Sequence, residues 1–109
     1  MKRFTVEVSL DAEQDLDAIV SYIADHDSLE RARFVGARIE KAILSLADFP
    51  ERGAHPKELL EHGIRDFREV FFKPYRVIYR VVGDRVVVVL IADGRRDMQA
   101  LLSRRHLGA

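Results

Sequence analysis

The segment 75–92 constrains the fold more than any other part of the chain. It contains two runs rich in β-branched and aromatic residues, Tyr75–Val82 and Arg85–Ala92, separated by the dipeptide Gly83-Asp84. A two-residue connection that begins with glycine is typical of a tight β-hairpin, so the sequence predicts that Val82 lies opposite Arg85. The run Val86–Ile91 is apolar at every position, which favours a central strand over an edge strand.

This register sorts the side chains of the hairpin into two faces. We expect the first face to be apolar and to pack on helices; it carries Tyr75, Val77, Tyr79, Val81, Val86, Val88, Leu90 and Ala92. The second face mixes arginines with branched aliphatic residues, namely Arg76, Ile78, Arg80, Val82, Arg85, Val87, Val89 and Ile91. Because so apolar a surface is unusual in water, we expect another element or a partner to cover part of the second face.

The N-terminal part predicts one strand and two helices. Alternation over Phe4–Ser9 indicates a half-buried strand, and Ser9 or Asp11 is a suitable cap for the helix that follows. Asp27-Ser28 interrupts the helical spacing, and a second amphipathic helix then runs until Phe49-Pro50 stops it. The short break between the helices predicts an antiparallel helical hairpin.

The remaining segments complete an α+β fold. Glu51–Gly63 is interpreted as a loop, with a helical turn or a short strand at 58–60 left open, and it precedes a strand at Asp66–Phe72. Asp97–Leu107 predicts a short C-terminal helix. The expected architecture has two layers in the order β-α-α-β-β-β, with the helical hairpin packed on an antiparallel sheet, and residues 1–109 form a single domain.

The net charge hides a difference between the two halves of the chain. The 18 basic and 18 acidic residues cancel, but residues 1–63 hold 8 Lys or Arg against 13 Asp or Glu, whereas residues 64–109 hold 10 against 5. Such asymmetry is typical of proteins with an acidic or a nucleic-acid-associated partner. The alternative is that arginines on strands decorate a solvated face.

The composition also excludes several kinds of site. The absence of cysteine rules out a disulfide framework and a thiolate metal site. No apolar run of membrane-spanning or signal-peptide length occurs, so we expect a soluble, cytoplasmic protein.

No catalytic constellation stands out in the sequence. The four histidines lack metal-ligand spacing, and there is no glycine-rich phosphate loop, serine elbow or paired-carboxylate motif, so no metal and no cofactor are expected. His106 lies near Arg104-Arg105 and is either a catalytic acid or base or an exposed residue of the tail. The acidic residues Asp11, Asp15 and Asp17 are interpreted as a solvated helix face.

Three segments in order resemble the RelE/ParE toxin superfamily of type II toxin–antitoxin systems. They are Gly63-Ile64-Arg65, Pro74–Val81 and Ala92-Asp93-Gly94-Arg95-Arg96-Asp97-Met98. The first helix, with Asp15-Leu16 and Tyr22-Ile23, agrees with the same pattern. The resemblance implies that the first strand lies beside the last strand, and that a cognate antitoxin wraps the toxin in a hetero-oligomer by a segment that folds on binding. DNA would then be contacted only indirectly, through the antitoxin.

The superfamily has two main activities, and the ending 98–108 is similar to the ParE branch. The resemblance therefore implies inhibition of DNA gyrase, with ribosome-dependent cleavage of messenger RNA as the alternative. Asp93 stands where a histidine is common, and this anion disfavours RNA among the arginines. We expect binding rather than catalysis, with no catalytic residue assigned, although an enzyme remains open. The expected gyrase-binding residues are Arg95, Arg96, Arg104 and Arg105, and the expected antitoxin-binding residues are Arg76, Ile78, Arg80, Arg85, Val87, Val89 and Ile91.

Overall fold

A computed structural model describes residues 3–107 of the chain. Its helices and strands follow the predicted order, with one further short helix in the loop before the second strand. They are β1 (Thr5–Val8), α1 (Leu10–His26), α2 (Leu29–Leu44), a 3-10 turn (Ser45–Ala47), α3 (Lys57–Leu60), β2 (Phe67–Phe72), β3 (Tyr75–Val82), β4 (Arg85–Asp93) and α4 (Met98–Arg104).

Side-chain caps start three of the helices. The hydroxyl oxygens of Ser9 and Ser28 accept hydrogen bonds from the third residue beyond them, at 3.1 and 2.9 Å, and so begin α1 and α2. Asp97 begins α4 in the same way. At its other end α4 stops with His106 at a φ of 62°, while the amide of Leu107 donates to the carbonyl of Leu102, the pattern of a Schellman motif.

The four strands form one sheet in the order β1-β4-β3-β2. Gly83 has a φ of 61°, as a glycine-first hairpin turn requires, and Val82 lies opposite Arg85 as predicted. β4 is a central strand, and β1 lies beside it. The antiparallel prediction holds for β2, β3 and β4, whereas β1 runs parallel to β4. The reason is that the helical hairpin returns the chain to the end of the sheet where β1 starts, since the Phe4 amide bonds to the carbonyl of Ala47.

A β-bulge in β4 changes which side chains face the helices. Ile78 pairs with Leu90 but the next residue of β3 pairs with Val88, so Val89 has no partner in β3. Beyond a bulge, the side chains of the strand exchange faces. Leu90 and Ala92 therefore lie on the face opposite to the helical hairpin, and their predicted position is wrong.

The core between the helical hairpin and the sheet otherwise matches the prediction. Val77, Tyr79, Val86 and Val88 are fully buried there against the apolar residues of α1 and α2. Ile91 joins this core because of the bulge, so its predicted place on the second face is wrong.

The second face is partly covered by the chain itself. α4 and α3 pack on it and form a second cluster around the fully buried Ile78. The other buried members of this cluster are Leu59, Phe67, Leu90, Ala92, Met98, Leu101 and Leu102. The sequence correctly indicated that something must cover this face, but Ile78 is closed off inside the chain rather than open to a partner. No helix in the described part of the chain is long and apolar enough to cross a membrane.

Candidate functional site

A large groove lies where the helical hairpin meets the ends of β3 and β4. Its volume is about 780 Å³. The C-terminal end of α1 and the start of α2 form one wall, and the start of β3 with the end of β4 forms the other. Its charged and aromatic lining residues are Asp15, Tyr22, His26, Asp27, Arg31, Tyr75, Asp93, Arg95 and Arg96.

Arg95 is held at the mouth of this groove by Asp93. The Asp93 carboxylate accepts hydrogen bonds from the Arg95 backbone amide at 2.9 Å, from Nε at 2.9 Å and from Nη2 at 2.6 Å. These hydrogen bonds hold the pKa of Asp93 below its usual value, so the carboxylate stays ionised. The anion that the sequence placed among the arginines is thus paired with one of them.

Arg96 differs from its neighbour. Its side chain is exposed and makes no ion pair within residues 3–107. The groove therefore presents two guanidinium groups close together: that of Arg95, whose Nε and Nη2 are bonded to Asp93, and that of Arg96, which is available to a carboxylate or phosphate group.

Arg105 has a structural position instead. It is half-buried, donates to a carboxylate oxygen of Asp15 on α1, and donates from Nη1 to the carbonyl of Val89 at 2.9 Å. The other oxygen of Asp15 accepts from the Ile91 amide at 3.0 Å. Asp15 and Arg105 thus hold both sides of the bulge, and the interpretation of Asp15 as part of a solvated helix face is wrong.

The four predicted target-binding arginines consequently do not form one surface. Arg95 and Arg96 line the groove, Arg104 is exposed on α4, and Arg105 fastens the end of α4 to α1. His106 is exposed beyond α4 and does not line the groove.

Arg76 is also not available to a partner. Its guanidinium group is buried and donates to both oxygens of Glu58, at 2.8 and 2.7 Å, and to Glu69 at 2.7 Å. These bonds lower the pKa of Glu58 and raise that of Arg76. The predicted exposure of Arg76 is wrong because α3 brings Glu58 over it, which leaves Arg80, Arg85, Val87 and Val89 as the open part of the predicted antitoxin surface.

Aromatic residues that the sequence analysis did not single out share the groove with the arginines. Tyr22 and His26 stack with ring centroids 4.1 Å apart, and the His26 Nδ1–H donates to the Tyr22 carbonyl at 3.0 Å. Burial, and secondly the charge of Asp93, raise the pKa of the Tyr75 hydroxyl. The register predicted from the turn places Tyr75 opposite Ala92, and only the bulge in β4 brings it opposite Asp93, so nothing in the sequence signalled this contact.

The groove has no recognisable catalytic pair. Within residues 3–107, no side-chain hydrogen bond links Tyr22, His26 or Tyr75 to an acid or base, and no three His, Asp or Glu residues are grouped to hold a metal ion. Its features are an ordered arginine, a free arginine and an exposed aromatic stack.

Comparison with known proteins identifies the family. The family model described as the ParE toxin of the type II toxin–antitoxin system parDE matches residues 6–98. The chain belongs to the ParE toxin family. It is 32% identical over 91 residues to toxin ParE3 of Caulobacter vibrioides, covering 84% of this chain and 87% of that protein.

Solved structures have the same fold as this ParE-family chain. A chain of the chromosomal ParDE system from P. aeruginosa matches with a TM-score of 0.70 and 19% identity, over 84% of this chain and 96% of its own. A chain of the RelBE2 toxin–antitoxin complex from Mycobacterium tuberculosis matches with a TM-score of 0.58 and 21% identity, over 85% and 93%. A mutant of the E. coli toxin RelE in the free state matches with 0.63 and 12%, over 96% and 98%. At these identities the structures establish the fold alone.

Proposed function

We propose that this ParE-type toxin arrests growth by binding and inhibiting DNA gyrase, without turnover. The observation that carries this proposal is the groove, where Arg95 is oriented by Asp93 beside Arg96; among residues 3–107, Arg96 makes no ion pair and no hydrogen-bonded acid–base pair accompanies the two arginines. Guanidinium groups held in this way suit recognition of an acidic or phosphate-bearing surface.

Catalysis is less well supported by the same groove. Cleavage of a phosphodiester needs a proton acceptor and a proton donor near the reacting atoms. The raised pKa of Tyr75 keeps its phenol neutral near pH 7, so it is a poor base. The groove nevertheless places His26, Tyr75 and two arginines together, which keeps ribosome-dependent cleavage of messenger RNA as the second candidate.

A charge-reversal experiment separates the groove from the rest of the surface. The double variant Arg95→Glu/Arg96→Glu should lose gyrase inhibition in a supercoiling assay and should no longer arrest growth. The matched control Arg33→Glu/Arg65→Glu changes the same charge at two exposed positions outside the groove and should inhibit normally.

Titration separates binding from catalysis. A binding inhibitor should act in proportion to gyrase, whereas a nuclease should cut messenger RNA at substoichiometric amounts. Messenger RNA cleavage on translating ribosomes that is lost in His26→Ala or Tyr75→Phe, with supercoiling unaffected by the wild type, would establish the second candidate instead.

We also propose that a cognate antitoxin neutralises this toxin in a hetero-oligomer and alone contacts DNA. The open part of the second face, Arg80, Arg85, Val87 and Val89, suits an antitoxin segment with acidic and large apolar residues that folds on binding. Val87→Asp should weaken the complex at least tenfold, since it places a negative charge against the acidic residues of the antitoxin segment, at a contact that binding would bury. Leu29→Asp, an exposed position at the start of α2, is the control and should bind normally. Equal affinity of the two variants in a titration would remove this face from the interface.

A further inference from the structure

A second, smaller groove lies on the helical side of β1 and has apolar and acidic lining residues. Its volume is about 380 Å³, and its apolar lining residues are Val8, Leu16, Ile43 and Leu44. Leu44, one of these lining residues, ends α2 with 66% of its surface exposed. A large aliphatic side chain exposed beside other apolar lining residues is a feature of interaction sites.

Carboxylates surround this apolar groove. Glu13 and Asp17 on α1 and Glu40 on α2 complete its lining, and no basic residue of the described range 3–107 contributes to it. None of the three makes an ion pair with another residue of the described range 3–107. The charged lining of this groove is therefore acidic, whereas the groove at Arg95 and Arg96 combines three arginines with three aspartates.

The edge of β1 is open at Val6 and Val8, whereas just before the strand the Phe4 amide donates to the Ala47 carbonyl at 2.8 Å. The amides of Thr5 and Ser9 donate to carbonyls of β4 or its turn, at 3.1 and 2.9 Å, so these alternate residues of β1 face β4. By the two-residue period of a strand, the backbone groups of Val6 and Val8 point away from the sheet. In the part of the chain that the structure describes, no backbone hydrogen bond satisfies them from the outer side. An unpaired edge of this kind is a template for an added strand.

We propose that this groove and the β1 edge bind an extended segment of the antitoxin in which apolar side chains are flanked by Lys or Arg. Charge complementarity selects the flanking residues, and the exposed Leu44 with its apolar neighbours in the groove selects the apolar ones. The β1 edge borders the open part of the second face at Arg85, which pairs with Thr5 in the sheet. One chain can therefore pass from that face around the edge into the groove. This inference rests on the proposed neutralisation by an antitoxin, and it assigns to the toxin a second docking surface that requires the opposite charge.

The two ends of α2 provide a matched pair of variants. Leu44→Lys places a cation inside the acidic, apolar groove, whereas Leu29→Lys makes the same change at a residue 57% exposed at the other end of the helix. The helix dipole makes the lysine more favourable at Leu44 than at Leu29, so destabilisation of the fold cannot explain a selective effect at Leu44. We expect Leu44→Lys to weaken antitoxin binding in a calorimetric titration at least tenfold, and Leu29→Lys to change it less than twofold.

Two further measurements test the charge and the strand edge. The triple variant Glu13→Gln/Asp17→Asn/Glu40→Gln should bind more weakly at low salt and should depend less on salt than the wild type, because fewer ion pairs form. The amides of Val6 and Val8 should exchange with deuterium at least tenfold more slowly in the complex than in the free toxin.

The outcomes are distinct. Equal affinities of Leu44→Lys, Leu29→Lys and the wild type for the antitoxin, with unprotected Val6 and Val8 amides, would overturn the proposal. Concentration-dependent self-association of the wild type that Leu44→Lys abolishes, with antitoxin binding unaffected, would assign the groove to a second copy of this chain and would also overturn it. A wild-type protein that binds no antitoxin and arrests no growth would refute the proposed function itself. That result would be seen with the wild type, before any variant is tested.

Discussion

Removing Arg76 should destabilise the fold strongly and should reverse the response of its stability to pH. The change Arg76→Met keeps an unbranched side chain against the sheet but withdraws the cation from two carboxylates. The exposed fractions of the three side chains are 9% for Arg76, 11% for Glu58 and 7% for Glu69, so water does not replace the lost partner. Removing one partner of a buried ion pair costs about 3–5 kcal/mol, which corresponds to a fall in Tm of about 12–20 °C for a domain of this size.

The pH dependence of the stability distinguishes the variant from the wild type more sharply than the loss of stability does. In the wild type, the bonds from Arg76 lower the pKa of Glu58, so this carboxylate stabilises the fold above its unfolded pKa and loses that contribution as pH falls. In Arg76→Met, two buried carboxylates face each other without a cation, and the pKa of at least one must rise above its unfolded value. The variant should therefore gain stability between pH 7 and pH 5, whereas the wild type should not.

Urea unfolding followed by circular dichroism at pH 5, 6 and 7 measures both effects. Arg85→Met is the control, because it breaks an ion pair with Glu7 whose side chains are 49% and 44% exposed. Such a surface pair contributes at most about 1 kcal/mol. The reasoning is refuted if Arg76→Met loses no more stability than Arg85→Met, or if its stability falls together with that of the wild type as the pH is lowered.

Three further predictions concern the loop before α3, the ion pair between Asp15 and Arg105, and the residue His106, which follows Arg105 at the end of α4. Gly53→Ala should lower the free energy of unfolding by about 1–3 kcal/mol in urea, because the new methyl group would lie 2.8 Å from the Tyr79 hydroxyl and closer still to the carbonyl oxygen of a β2 residue. Asp15→Ala leaves Arg105 without its carboxylate and should speed deuterium exchange throughout α4, while Asp17→Ala on the same helix should not. His106→Gly should raise the free energy of unfolding by about 0.5–1 kcal/mol, because glycine adopts the observed φ of 62° without the cost that a side chain imposes; growth arrest should persist.

Local signals account for the parts of the fold that the sequence predicted. Gly83 sets the hairpin turn, and the hairpin turn sets the pairing of Val82 with Arg85, because both depend on neighbouring residues alone. The serine caps of α1 and α2 are local in the same sense. The helical periodicity then leaves one face of each helix to pack on the sheet.

The bulge at Val89 could not be predicted for a physical reason. Every residue from Val86 to Ile91 is apolar, so exchanging the faces of Leu90 and Ile91 leaves an apolar side chain on each side of the sheet and gives no pattern to detect. What fixes the bulge is the contact of Asp15 and Arg105 with its backbone, and Asp15 is distant in the sequence.

At the candidate site, too, the sequence predicted what local features determine and missed the contacts between residues distant in the chain. Arg95 and Arg96 were identified because they follow directly on β4, where the end of a strand opens into the groove. Tyr22 and His26 reach that groove only through the packing of α1 on the sheet. Arg105 was assigned to the target surface because its carboxylate partner, Asp15, lies on a helix far away in the sequence, so nothing in the sequence indicated that the two residues pair.

Part of the charge difference between the two halves of the chain is neutralised by ion pairs that form on folding. In the part of the chain that the structure describes, three ion pairs join the acidic half to the basic half: Arg76 with Glu58, Arg85 with Glu7, and Arg105 with Asp15. Within residues 3–107, the charges that remain without an ion pair include Arg96 and Arg104 on one side and Glu13, Asp17 and Glu40 on the other. These two sets lie on different elements, so a partner attracted to one is not attracted to the other. A gyrase surface selected by Arg96 should therefore be acidic, and it should leave the acid-rimmed groove beside β1 open to the antitoxin.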